Sequence, residues 1–163
     1  MGSRRSDPFN GAVSPIVAAL AAGVGPVMAQ LIPPARVAHI WPQAEAALRV
    51  VTDFGSDIDM AKVLGELVAG RLALWLVGHG WVVTEVTINA DGKRTFWVLM
   101  AGGKAGEKLS ALTSETMAQF EALARRSGYM DIRIWGRWGW QRLLPDYDAL
   151  PLEGGRVELR KVL

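Results

Sequence analysis

The chain has no cysteine, and among its 163 residues there are only two histidines and two tyrosines. Without thiols there can be no disulfide, thiolate nucleophile or cysteine-ligated zinc. His39 and His79 stand far apart, and neither belongs to a ligand spacing such as HExxH, so the common metalloenzyme arrangements are excluded. His39 reads as a surface or capping residue, and His79, between two glycines, as a turn residue. Charge of one sign is scarce as well: 18 Lys and Arg against 16 Asp and Glu leave a formal net charge of +2. So small an excess predicts no polyanionic partner unless the basic residues cluster. No charged residue occurs from Gly11 to Ala35. What is present is a 50% hydrophobic share, enough for one domain with an ordinary core.

The uncharged stretch, GAVSPIVAALAAGVGPVMAQLIPPA, follows a polar leader containing Arg4 and Arg5. As a signal peptide it would use Val27-Met28-Ala29 as its small-residue cleavage site. As a membrane helix it has about the length needed to cross ~30 Å of hydrocarbon, although Pro15 and Pro26 divide it. As a helix buried against other protein it would pack through small residues. An uncharged segment left in water invites aggregation. We therefore expect residues 1–35 to form an apolar N-terminal arm, with Ile16, Leu20, Val24, Val27 and Leu31 docking on a neighbouring chain. Membrane contact through 11–35 is the competing use.

Residues 36–163 read as one α+β body. Pro33 and Pro34 precede a predicted helix over 36–51, in which Ala38, Trp41, Ala44 or Glu45, and Leu48 follow helical spacing. Ser56 or Asp57 would cap a second helix whose apolar face is Ile58, Ala61, Leu64 and Val68. A three-strand meander follows over 71–78, 81–89 and 94–101, its last turn marked by Asn89-Ala90-Asp91-Gly92. In its middle strand Val82, Thr84, Val86 and Ile88 face one way, and Trp81, Val83, Glu85 and Thr87 the other. A long helix is predicted around Leu109, Leu112, Thr116, Phe120 and Leu123. A strand over 130–135, a short helix over 138–144 and a final strand over 156–163, whose charges suit a sheet edge, complete the chain.

Two stretches invite a functional reading. Gly102, Gly103, Lys104 and Gly106 lie between a strand and a helix, where free amides and the helix dipole can hold phosphate. The same glycines lack both GK[ST] and GxGxxG spacing and suit a plain turn. The passage Tyr129 to Tyr147, YMDIRIWGRWGWQRLLPDY, concentrates Trp135, Trp138, Trp140, Arg133, Arg137 and Arg142. Trp138 and Trp140, with Arg137 and Arg142, can anchor an interface, the indoles can equally fill a core, and Arg133, Arg137 and Arg142 can contact DNA or form a solvated basic face.

The order helix, helix, meander, long helix, strand, short helix, strand resembles the GCN5-related N-acetyltransferase fold. In that fold a mixed, mostly antiparallel sheet with flanking helices splays open after the third meander strand. GRWGWQRLLPDY, with WVVTEV upstream, is similar to passages in acetyltransferase-like proteins of tailed bacteriophages, including internal virion and head-tail proteins of short-tailed phages. The resemblance implies a non-catalytic virion component, made in the host cytoplasm. It would be anchored by its arm near the portal, neck or tail, or packaged inside, as a homo-oligomer beside other virion proteins and without cofactor. The alternative it implies is an N-acetyltransferase using acetyl-CoA at Gly102, Gly103, Lys104 and Gly106. Against catalysis, MAGGKAGEKL departs from the family's Q/R-x-x-G-x-G/A loop, and Leu144 stands where many members carry a tyrosine acid. Tyr147 falls where a packing aromatic is usual. Glu85 is the only good candidate for a base, and it reads equally as a strand glutamate facing solvent.

Overall fold

The alternation between residues 73 and 102 becomes the centre of a mixed sheet. In a computed structural model, which describes residues 4–5, 29–52, 58–103 and 114–163, the chain runs β1 (Arg4–Arg5), β2 (Ala29–Ile32), α1 (Pro34–Thr52), α2 (Met60–Val68), β3 (Ala73–Val77), β4 (Gly80–Ile88) and β5 (Arg94–Gly102). It continues through α3 (Ser114–Arg126), β6 (Asp131–Arg137), α4 (Trp140–Leu143), β7 (Asp148–Pro151), a 3-10 turn at Glu153–Gly155, and β8 (Arg156–Val162). The sheet order is β2-β3-β4-β5-β6-β8-β7, with β1 paired to the far end of β4. Every pairing is antiparallel except β5 with β6, which the α3 crossover makes parallel.

Each sheet face carries its own core. On one, Trp75, Val82, Val86, Phe96, Val98, Ile132, Ile134, Val157 and Leu159 meet Met117, Phe120 and Ala124 of α3. Phe120 lies edge-on to Trp75 at 5.3 Å and tilted against Phe96 at 5.7 Å. Each side chain of this size, fully buried, contributes about 1.5–3 kcal/mol. On the other face, Leu74, Trp81, Val83 and Met100 receive Val37, Trp41, Ala44 and Leu48 of α1 and Met60, Val63 and Leu67 of α2. That cover stops at β5. Beyond it, no described helix lies over the second face of β6, β8 and β7.

Several expectations need correction. The body begins before residue 36, because Ala29–Ile32 pairs along β3 as β2, with Leu31 opposite Trp75 and packed against the core. Leu31 thus lies, half-buried, in an edge strand of its own chain's sheet, whereas Ile16, Leu20, Val24 and Val27 lie outside the described residues. The cap of α2 is Asp59, whose carboxylate accepts from the amides of Ala61 and Lys62. Helix α2 therefore starts later, and its buried stripe is Met60, Val63 and Leu67, with Val68 exposed. In α1 the stripe begins at Val37 instead of Ala38, and Pro42 is accommodated on the exposed side. Strand β8 is interior, since Asp148–Pro151, expected to be loop, pairs along it as β7 and takes the edge. Met130, which opens the expected strand over 130–135, precedes β6 and is exposed.

Candidate functional site

A β-bulge creates the main irregularity of the sheet. Pairing between β4 and β5 shifts register at Val83/Thr84, so Leu99 is the extra residue of β5. Just there β5 and β6 part company: their last paired residues are Val98 and Ile134. Both strands continue, each held by its outer neighbour, β5 to Gly102 opposite Trp81 and β6 to Arg137 opposite Arg156. The result is a V-shaped split. Along it the β6-facing backbone groups of Leu99–Gly102 have no strand partner among the described residues, so an extended amide-bearing molecule can pair there as a strand would.

The two walls differ. On the α3 side, the Trp140 ring lies under Gly136, where a Cβ would come within 3.1 Å of it. The amino end of α3 adjoins α4, with Ser114 Oγ donating to the Leu143 carbonyl at 3.2 Å. On the uncovered side, Trp97 stands one residue before the strands part and Trp135 one residue after. Their rings meet edge to face at 5.1 Å, across the crotch of the split. Trp135 is 52% exposed. Glu85 is the cross-strand neighbour of Trp97 on the same face and is half-buried.

A network of charges lies beside the two rings on this face. Asp131, buried, accepts from Thr95 Oγ1 at 2.6 Å and from the Nε atoms of Arg133 and Arg160 at 3.0 Å each. Glu158 takes Arg133 Nη1 at 3.4 Å and the Trp135 indole N–H at 3.1 Å. The Arg133 guanidinium lies 5.3 Å from the centre of the Trp97 ring, a cation–π contact.

The residues singled out from sequence do not assemble into one site. Arg133 is engaged in ion pairs, Arg137 ends β6 exposed, and Arg142 rides on α4 behind the opposite face. Trp140 is half-buried and packs against the core, whereas Trp138 stays 44% exposed. Lys104 and Gly106 lie outside the described residues. Gly103 is half-buried after β5, and Gly102 is buried where α1 crosses the end of that strand. A Cβ on Gly102 would stand 2.3 Å from the Ala47 carbonyl oxygen, so helix packing accounts for this glycine. Gly102→Ala is expected to cost about 1–3 kcal/mol by overpacking against rigid backbone, a loss that urea denaturation would register.

Leu144 is buried and offers no proton. Tyr147 is committed elsewhere: its hydroxyl donates to Glu121 Oε1 at 2.7 Å, and Lys161 Nζ reaches Glu121 Oε2 at 3.1 Å. Burial, reinforced by that carboxylate, holds the Tyr147 hydroxyl far above the ordinary phenol range. Among the described residues no cluster of His, Asp and Glu could hold a metal, and no helix is long and apolar enough to cross a membrane. Sequence reasoning passed over Trp97, Asp131 and Glu158. Outward alternation was the available signal for Trp97, but its partner on β6 lies across a helical crossover.

This strand order, with its split beside a bulge, is that of the GCN5-related N-acetyltransferase fold. No protein-family model matches the chain, and no curated protein matches it by sequence. Solved structures do match by shape. A GNAT-family acetyltransferase from Listeria monocytogenes aligns with a TM-score of 0.54 and 13% identity over 83% of this chain and 94% of its own. The PaiA N-acetyltransferase of Thermoplasma acidophilum, in complex with coenzyme A, gives 0.55 and 10% over 83% and 99%. An Arabidopsis thaliana protein carrying the bisubstrate analogue CoA-Ac-MVNAL gives 0.55 and 10% over 84% and 100%. At such identities the likeness establishes the fold alone.

Proposed function

We infer that the chain is an acyl-CoA-dependent N-acyltransferase that holds its thioester in the split between β5 and β6. The observation that carries this reading is the unpaired β5 edge from Leu99 to Gly102, opened by the bulge. The pantetheine arm of coenzyme A is extended and contains two amides, the chemistry such an edge accepts. Coenzyme A in the Thermoplasma and Arabidopsis neighbours supports the same assignment.

When bound, acyl-CoA supplies the activated acyl group, and this chain's residues handle orientation and the proton. The acceptor amine approaches from the face that α3 does not cover, past Trp97 and Trp135. Glu85 takes the amine's proton, directly or through one water, as the C–N bond forms and the C–S bond breaks. Neither Leu144 nor Tyr147, both just past α4, donates a proton to the departing sulfur, because Leu144 is apolar and Tyr147 is bonded to Glu121. A thiol has a pKa of about 8.5, so its thiolate can leave and be protonated by water. Isothermal calorimetry with the full chain is expected to show acetyl-CoA binding with Kd in the micromolar range, about −8 kcal/mol. Absence of heat would remove the reading.

The second reading is a non-catalytic body in a tailed-phage particle. It is supported by the lack of an acid on α4 and by Trp138 and Leu143, both exposed and suited to an interface. Co-purification with particles, combined with no heat from acetyl-CoA, is its expected signature.

A further inference from the structure

We propose that Trp97 and Trp135 form the floor of an acceptor subsite, and that it selects primary amines carried on a flat, apolar group. This rests on the acyltransferase reading. The pair bridges the crotch of the split, on the face that no described helix covers there, and presents an apolar surface beside the point where β5 and β6 separate. Trp135 keeps half its surface in water although its N–H is already satisfied by Glu158, so what it offers a ligand is the indole plane. Leu150, 57% exposed, extends that surface across β8, since both Trp135 and Leu150 register opposite Glu158.

Charge narrows the acceptor further. Asp131 and Glu158, the carboxylates beside the pair, are engaged by Arg133, Arg160, Thr95 and Trp135. They offer little to a polycation, and Arg133 over Trp97 and Arg160 would repel one. Glu85 lies on the near side of Trp97. An amine at Glu85 therefore extends its carbon body over the indoles for two strand spacings, about 10 Å. That span suits an arylalkylamine or an amino-terminal aromatic residue of a short peptide. The acceptor is recognised by stacking and area, not by ion pairing.

The test uses the full chain with 2-phenylethylamine, a Phe-Ala dipeptide, n-butylamine and spermidine. Each is titrated by saturation-transfer NMR with and without coenzyme A, and each is assayed for thiol release from acetyl-CoA. The expected result is binding and turnover favouring one of the two aromatic amines, which identifies the source, by about tenfold or more over n-butylamine and spermidine. Trp135→Ala should raise KM for that amine by a similar factor, and Trp135→Phe should retain most of the preference. Equal use of all four amines, or a preference that survives Trp135→Ala, overturns the proposal while leaving the acyltransferase reading intact. Aromatic binding lost in Trp135→Ala, with no acetyl-CoA binding, retains the subsite and removes that reading. No aromatic binding under any condition removes the subsite.

Discussion

Glu85→Gln is expected to lower kcat for acetyl transfer to an amine by a factor of about 10²–10⁴, the usual contribution of a positioned general base. The substitution keeps the volume of the side chain, so packing between β4 and β5 is preserved and acetyl-CoA affinity should not change. Amines reach an active site near neutral pH largely protonated. A carboxylate beside the nucleophile lets the neutral amine form where it is used, and a carboxamide cannot accept that proton. Loss in the variant should therefore shrink as pH rises toward the amine's own pKa, about 10 for an alkylamine by analogy with lysine. Steady-state assays across pH 6.5 to 9.5 would display the convergence. An unchanged kcat, with acetyl-CoA still bound, would transfer the role of base to another group. Loss of folding, seen by circular dichroism, would instead mark Glu85 as structural.

The meander was legible because its signal is local. Val82 and Val86 against Trp81 and Val83 declare two faces of one strand, and Gly92, at φ 80°, supplies the left-handed turn into the next. The misplaced elements have physical causes. Ala29–Ile32 merges into the uncharged stretch before it, so nothing in composition separates strand from arm. Asp148–Pro151 has neither alternation nor β-branched residues and is a strand only because β8 pairs with it. Helix α2 starts later than expected because Asp59, two residues past Asp57, offers the same capping carboxylate. The site was less legible than the fold. Alternation turns Trp97 and Trp135 outward separately, but bringing their rings to 5.1 Å requires β5 and β6 to be parallel neighbours across α3. The split itself depends on a bulge at Leu99, where no glycine or proline marks the position.

Replacing Glu121 with leucine is expected to destabilise the fold by about 3 kcal/mol, within the lower part of the range for removing one partner of a buried ion pair. Glu121 is buried on the inner side of α3 and accepts from both Tyr147 and Lys161, thereby joining the helix, the segment before β7 and β8. Leucine leaves the Tyr147 hydroxyl buried without an acceptor, which costs about 1–3 kcal/mol. Lys161 is 26% exposed and reaches water, so its share is smaller. Tyr147→Phe alone should cost about 1 kcal/mol, and the double variant less than the sum, because removing both partners leaves no orphaned hydroxyl. The same contact sets an alkaline limit. Burial raises both Tyr129 and Tyr147, with Glu121 adding to the second. An unfolded tyrosine loses its proton near pH 10, whereas the folded one keeps it. Below that pH the stabilisation is fully present; above it the unfolded state binds fewer protons and stability falls. Denaturant midpoints measured from pH 8 to 11 should decline above about pH 10, more steeply in the wild type than in Tyr147→Phe, where only Tyr129 contributes. Equal slopes in the two proteins would show that Tyr147 ionises freely and that Glu121 does not hold its proton.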